Sequence, residues 1–281
     1  MDELRAIQAI IEYSLQEDLS GSVDVTSESI FEDSETAEAV IRSKSEGVLS
    51  GTYLIEPIFD ALGEKVKIDL LTCDGQKLIA GKEICRLSGP VKTILKAERT
   101  LLNFLQHLSG ISTQAAEIAR TISPARLLDT RKTTPGLRVL EKRAVVHGGG
   151  ENHRFGLYDM ILIKDTHIKA AGGVKNALEK AFAYKKRNDG LKIEVEVQSI
   201  KDFEQALSLA PNRIMLDNMG LDAMGTCVKM RNDAESKTEL EASGNVDSTT
   251  AWQIAQTGVD FISCGAITHS APALDIHLII L

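Results

Sequence analysis

Leu4, Ile7, Ile11 and Leu15 recur three or four residues apart through the opening stretch "MDELRAIQAIIEYSLQEDLS", which is the spacing of one helix face. Short strands follow at "AEAVIRSK" and "GVLSG", and then a helical pattern at "TYLIEPIFDALG". The segments "KVKIDLLTCDGQKL" and "EICRLSG" read as further strands, punctuated by turn signals at Asp74-Gly75 and Ala80-Gly81. A long helical pattern, "KTILKAERTLLNFLQHLSGISTQAAEIARTI", leads out of this region, and Gly110 predicts a break within it. Up to about residue 120 the chain therefore reads as α+β.

After Ser123 the pattern changes. Short apolar runs, "RLLD", "MILIK", "KIEVEV", "RIMLD", "TELEAS" and "FISCG", alternate with helical stretches such as "GVKNALEKAFAYKKR", "IKDFEQALSLA" and "STTAWQIAQTG". Strands separated by helices predict βαβ units on a parallel sheet. Six strands fall short of a standard eight-stranded barrel, so periodicity alone leaves barrel and open sheet equally open.

Most of these strands finish on a polar residue or a glycine: Asp129-Thr130-Arg131-Lys132, Lys164-Asp165, Glu196, Asp217-Asn218, Ser243-Gly244 and Cys264-Gly265. Any one of them is explained by a solvated strand end or a helix cap. Six in succession point to a site at the carboxyl rim of the sheet, where parallel α/β proteins hold their ligands.

Composition sharpens this picture. The chain has 281 residues, 43% hydrophobic and 26% charged, and a net charge of −8, enough for one large or two smaller globular domains. Its acidity argues against nucleic acid or an anionic membrane as a partner for the whole surface. Cys73, Cys85, Cys227 and Cys264 form no close pair in sequence, so neither a zinc motif nor a disulfide framework is suggested. The acidic start is unlike a signal peptide, and a cytoplasmic setting with reduced thiols is expected. Against this background, "DTRKTTPGLRVLEKRAVVHGGGENHR" concentrates positive charge at Arg131, Lys132, Arg138, Lys142, Arg143 and Arg154.

The rim residues sort by charge. Arg131, Lys132, Arg154 and Lys164, with His153, suit a small polyanion, because guanidinium groups hold carboxylates bidentately. Glu196 and Asp217 are hard oxygen donors of the kind that hold Mg²⁺ beside a phosphate. "EASGN" and "SCGAITHS" offer backbone N–H groups and hydroxyls ahead of helices, which suits a phosphate. The run "HGGGENH" serves equally well as a plain turn. His107, His269 and His277 read as packed or surface residues. Lys164 leaves a rival open: a buried lysine ending a barrel strand is a Schiff-base nucleophile in class I aldolases.

At these residues the sequence resembles the quinolinate phosphoribosyltransferases. The resemblance runs along nearly the whole chain. It is carried by "EDLSGSVDVTS", "AERTLLNFLQHLSGIST", "DTRKTTPGLRVLEKRAVVHGGGENHRFGLYDMILIKDTHI", "IEVEV", "IMLDNM", "EASGN" and "TGVDFISCGAITHS". A relative associated with molybdenum transport shares the general pattern, while "LYDMILIKDTHI" sides with the biosynthetic enzyme. The resemblance implies an α/β fold: an N-terminal α/β sandwich domain (1–107) plus an incomplete, seven-stranded α/β barrel (108–266), with the tail 267–281 joining the first domain.

It further implies transfer of the phosphoribosyl group of phosphoribosyl pyrophosphate to quinolinate, with release of pyrophosphate and CO2, on the way to NAD. Quinolinate contacts carry over to Arg131, Lys132, His153, Arg154 and Lys164. Contacts to the donor and Mg²⁺ carry over to Glu196, Asp217, Ser243, Gly244 and Gly265. Lys132, Lys164, Glu196 and Asp217 are the expected catalytic group. Arg99 of "KAERT" matches an arginine that reaches the neighbouring site in a homodimer. Three departures stand out: Asn245 for a second glycine after "EASG", Thr166 for the family's asparagine, and the looser "SGSVDVT".

Overall fold

The computed structural model describes residues 3–281. They fall into two compact units. One comprises the chain up to Ala116, together with Thr133–Gly149 and Thr268–Leu281; the other comprises Glu117–Lys132 and Gly150–Ile267. Among the described residues no helix is long and apolar enough to cross a membrane.

In the first unit, α1 (Glu3–Leu19) buries Ile7, Ile11 and Leu15, while Leu4 at its open end is exposed. α2 (Val25–Ile30) starts at Asp24, whose carboxylate accepts the Thr26 and Ser27 N–H groups, an N-cap that satisfies donors with no partner inside the helix. β1 (Thr36–Ser43), β2 (Gly47–Val48), α3 (Ile55–Ala61), β3 (Lys67–Leu70), β4 (Lys77–Leu78) and β5 (Glu83–Pro90) follow. The strand expected at "GVLSG" shrinks to β2, because Ser50 turns inward and pairs through its backbone N–H with Ser109 Oγ at 3.0 Å.

α4 (Val91–Ala119) is a single 29-residue helix, so the break predicted at Gly110 does not occur. The glycine serves packing instead: a Cβ there would run into the Pro272 carbonyl oxygen. α4 also continues through 107/108, the position at which the resemblance separates the domains.

β6 (Arg126–Leu128) opens the second unit, and the chain then returns to the first as α5 (Arg138–His147). Gly148 follows α5 where a side chain would meet the Ser112 carbonyl, which gives part of the glycine run a packing role. Within this unit Glu141, fully buried, takes His107 Nε2 at 2.8 Å and the Thr134 N–H at 3.0 Å. Back in the second unit come β7 (Met160–Ile163), α6 (Asp165–Ala171), α7 (Val174–Lys185), β8 (Lys192–Val197) and α8 (Ile200–Ser208). Next are β9 (Arg213–Asp217), α9 (Leu221–Asp233), β10 (Glu239–Ser243), α10 (Ala251–Ala255), β11 (Phe261–Ser263) and α11 (Ala266–His269). β12 (Ile276–Ile280) rejoins the first unit, whose antiparallel sheet runs β12-β1-β5-β3.

The second unit is built on a parallel sheet of order β6-β11-β10-β9-β8-β7, formed by the six strands the sequence pattern marks. A single parallel bridge, Leu128 to Glu151, stands where a further strand would lie beside β6; the residues after it, Asn152 to Arg154, leave the ladder for the rim. Strand alternation divides the sheet into two faces. Ile193, Val195, Val197, Ile214, Leu216, Leu240, Ala242 and Ile262 are buried on the apolar one; α7 and α8 pack on β8, and α10 on β11.

Candidate active site

The other face of the parallel sheet is polar, and it builds the site from its base upward. Near the amino ends of the strands, Arg126 and Arg213 each lie over the Phe261 ring with 3.9 Å to its centroid. Arg126 pairs with Glu151 and Glu239, and Arg213 with Glu239 at 3.3 Å and Glu241 at 2.8 Å. One level higher, Glu194 and Glu241 are fully buried and flank His153 Nε2 at 3.0 and 3.6 Å. Burial pushes both carboxyls up, against the pull of the neighbouring cations.

At the carboxyl ends of the strands a cleft of about 310 Å³ opens, lined among others by Arg131, Lys132, His153, Arg154, Lys164, Glu196, Asp217 and Ser243. Arg154 is anchored twice: its N–H donates to His153 Nδ1 at 2.7 Å, and its guanidinium donates to the Met160 carbonyl at 3.1 Å. Burial, and then the neighbouring Arg131 cation, lower the pKa of Arg154 from its ordinary value. Two guanidinium groups in one cleft make a site that an anion would relieve. Asp159 fixes the turn beyond Arg154 by accepting the Phe155 and Gly156 N–H groups.

At the end of β7, Lys164 Nζ lies 3.5 Å from Glu196 Oε2. The Lys164 side chain is 48% exposed, unlike the desolvated lysine that Schiff-base chemistry favours. Burial raises the Glu196 pKa, Lys164 opposes the shift, and Asp217 adds to it. Asp217 is held from both sides, Oδ2 by Gln198 Nε2 at 2.9 Å and Oδ1 by Asn218 Nδ2 at 3.0 Å. Glu196 and Asp217 thus offer two hard carboxylates on adjacent strands. That donor set fits Mg²⁺, which takes one or two carboxylates and leaves its other positions to water and phosphate.

The phosphate-suited segments also take shape at this rim. Gly244 has φ of +100° and Asn245 has φ of +49°. The following loop is tied by Asp247, whose Oδ1 accepts the Thr249 and Thr250 N–H groups. Gly265 lies between β11 and α11, and Thr166 is exposed in the first turn of α6.

Gly244 and Gly265 follow β10 and β11 at the rim without lining the cleft, and Arg99 is the expected site residue placed on the other unit. It is exposed on α4 in the first unit, on a groove of about 850 Å³ that also includes Asn103 and His107, and it has no ion-pair partner among the described residues. Glu194, Glu241 and Arg213 went unnoticed in the sequence. Their signal was available as charge at alternate positions of β8, β9 and β10, the face that carries Glu196, Asp217 and Ser243 to the rim.

Comparison with known proteins gives the same direction. Residues 24–109 match the family model "Quinolinate phosphoribosyl transferase, N-terminal domain", and residues 111–279 match its C-terminal domain. The chain is 41% identical to the chloroplastic nicotinate-nucleotide pyrophosphorylase (carboxylating) of Arabidopsis thaliana, over 97% of this chain and 82% of that one. It is 40% identical to a quinolinate phosphoribosyltransferase (decarboxylating) of Nicotiana glauca, over 97% and 81%. The structure of the nicotinate-nucleotide pyrophosphorylase from Francisella tularensis superposes with a TM-score of 0.92 at 39% identity, covering 99% of this chain and 96% of that one. With both domain models matched in order and the rim residues gathered in one cleft, the chain belongs to the quinolinate phosphoribosyltransferase family.

Proposed function

We propose that the cleft transfers the phosphoribosyl group of phosphoribosyl pyrophosphate to the ring nitrogen of quinolinate, with decarboxylation, giving nicotinate mononucleotide, pyrophosphate and CO2. The observation that carries this reading is the mixed lining of the cleft, which brings Arg131, Lys132 and Arg154 together with Glu196 and Asp217. The first set suits a dicarboxylate, because planar guanidinium groups take carboxylates bidentately and fix the ring between them. Held there, the pyridine nitrogen stands in line with the anomeric carbon, and orientation replaces a chance encounter. Ser243, Gly244 and Gly265 supply backbone and hydroxyl donors to the donor's phosphates.

Glu196 and Asp217 would hold Mg²⁺, which when bound neutralises charge on the departing pyrophosphate. The same carboxylates stand near the positive charge that grows on the ribose and favour it electrostatically. Lys164, beside Glu196, meets the substrate as a cation. Once the nitrogen is alkylated, its positive charge stabilises the electron pair left on carbon 2 as the 2-carboxylate departs as CO2, and carbon 2 then takes a proton with that pair. No lysine adduct is required, which removes the reason for an aldolase reading of Lys164. The active form is a homodimer in which the exposed Arg99 enters the neighbour's cleft. Four free thiols, three of them buried, suit a reducing compartment such as the cytoplasm.

Binding separates the dicarboxylate reading from a general anion site. Arg131→Ala should weaken quinolinate binding by about 2–5 kcal/mol, the cost of leaving a partly desolvated carboxylate unpaired. Nicotinate, lacking the 2-carboxylate, should bind the wild-type chain weakly and lose little more in the variant. Calorimetric titration that finds nicotinate bound as tightly as quinolinate would overturn this assignment.

A further inference from the structure

Phosphoribosyl transfer gives no task to the column of charge at the floor of the cleft. Arg213 carries Glu241 at 2.8 Å, and Glu241 and Glu194 together face His153 Nε2. The opposite ring nitrogen, Nδ1, accepts the Arg154 N–H at 2.7 Å. Accepting at Nδ1 places the imidazole proton on Nε2, toward the two carboxylates. Both ring nitrogens of His153 therefore face protein groups, and the side chain is only 6% exposed.

His153, Glu194 and Glu241 are also close enough to be metal donors. Here the Arg213 guanidinium already supplies the cation, bound directly to Glu241. Buried ionic networks contribute little net stability, because desolvation offsets their attraction. What such a network does supply is orientation, as the partners behind metal-bound histidines do.

We propose that Glu194 and Glu241, the latter propped by Arg213, are positioning residues that fix the His153 imidazole and, through it, the backbone of Arg154, so that the guanidinium meets the substrate carboxylate in one orientation. An arginine not held in this way must be ordered at each encounter, and affinity falls accordingly. The proposal rests on the reading of Arg154 as a carboxylate anchor.

Steady-state kinetics of Glu194→Gln, Arg154→Lys and the double variant, with quinolinate and phosphoribosyl pyrophosphate varied separately, test it. Glu194→Gln should raise the quinolinate KM about tenfold, leaving the donor KM and kcat within about twofold, and Arg154→Lys should raise the quinolinate KM at least as far. In the double variant the effects should not multiply, because both act through one guanidinium. Should Glu194→Gln fail to fold, Glu194→Asp keeps the carboxyl but withdraws it from His153, and should raise the same KM. An unchanged quinolinate KM in the Glu194 variants, or full multiplication in the double, overturns the proposal. So does a stoichiometric divalent metal in the purified wild-type chain that is lost on Glu194→Gln. An Arg154→Lys chain with unchanged quinolinate KM would instead sink the anchor reading itself.

Discussion

Gly244 and Asn245 stand side by side with positive φ, yet the two positions make different demands. A Cβ on Gly244 would run into the side-chain oxygen of Asn218, which itself has φ of +52°. Asn218 in turn donates its N–H to the Ser243 carbonyl at 2.9 Å and its amide to Asp217. Gly244→Ala therefore disturbs the residue that aims Asp217, and adds backbone strain of about 1–3 kcal/mol. The KM for phosphoribosyl pyrophosphate should rise about tenfold, since about 1.4 kcal/mol is a factor of ten. Asn245 already occupies the left-handed region that asparagine tolerates, so Asn245→Gly should leave that KM within about twofold. A large gain in donor affinity from Asn245→Gly would show that the asparagine crowds the loop. At this scale the rim was legible in sequence, because its members end strands as polar breaks in apolar runs. Glu194 and Glu241 were not, because an acid at every second strand position reads as a solvent-facing edge. Only the closing of the sheet's polar face around Phe261, Arg126 and Arg213 makes those positions interior.

Among the elements, α4 separates propensity from packing. Gly110 lowers helix propensity by about 1 kcal/mol relative to alanine, which is why the sequence suggests a break. The helix runs on through it, and the glycine stands there because the Pro272 carbonyl occupies the space a side chain would need. Gly110→Ala should therefore lower the melting temperature, although the same exchange at an exposed helix site would raise it. A raised melting temperature would mean that the tail shifts aside at no cost. The six parallel strands were legible because each is a short apolar run between helical patterns. α5 was not: its sequence, "RVLEKRAVVH", looked like part of a cationic binding segment. In the fold Lys142 and Glu141 of that helix are buried and only part of the segment's charge reaches the cleft. Charge counted along a sequence overstated the charge at the site.

The whole molecule raises the matter of Arg99, exposed on a different unit from the cleft it is proposed to serve. Isologous pairing repeats each interface contact twice. Arg99→Ala and Lys164→Ala should each be nearly inactive alone. In a mixed dimer one site inherits both defects and the other neither. Random reassortment of equal amounts should therefore return roughly a quarter of wild-type activity, measured after subunit exchange has been confirmed with differently tagged chains. Activity that stays at the level of the parents would place Arg99 outside the neighbour's site. The chemistry of the cleft itself is tested most directly by release of labelled CO2 from quinolinate labelled in its 2-carboxylate, followed with and without phosphoribosyl pyrophosphate and Mg²⁺. Release should require the donor, because the electron pair left on carbon 2 is stabilised only after the ring nitrogen is alkylated and positively charged, and it should match pyrophosphate formation one for one. Label released at the same rate without the donor, or pyrophosphate formed without release of label, would contradict the account.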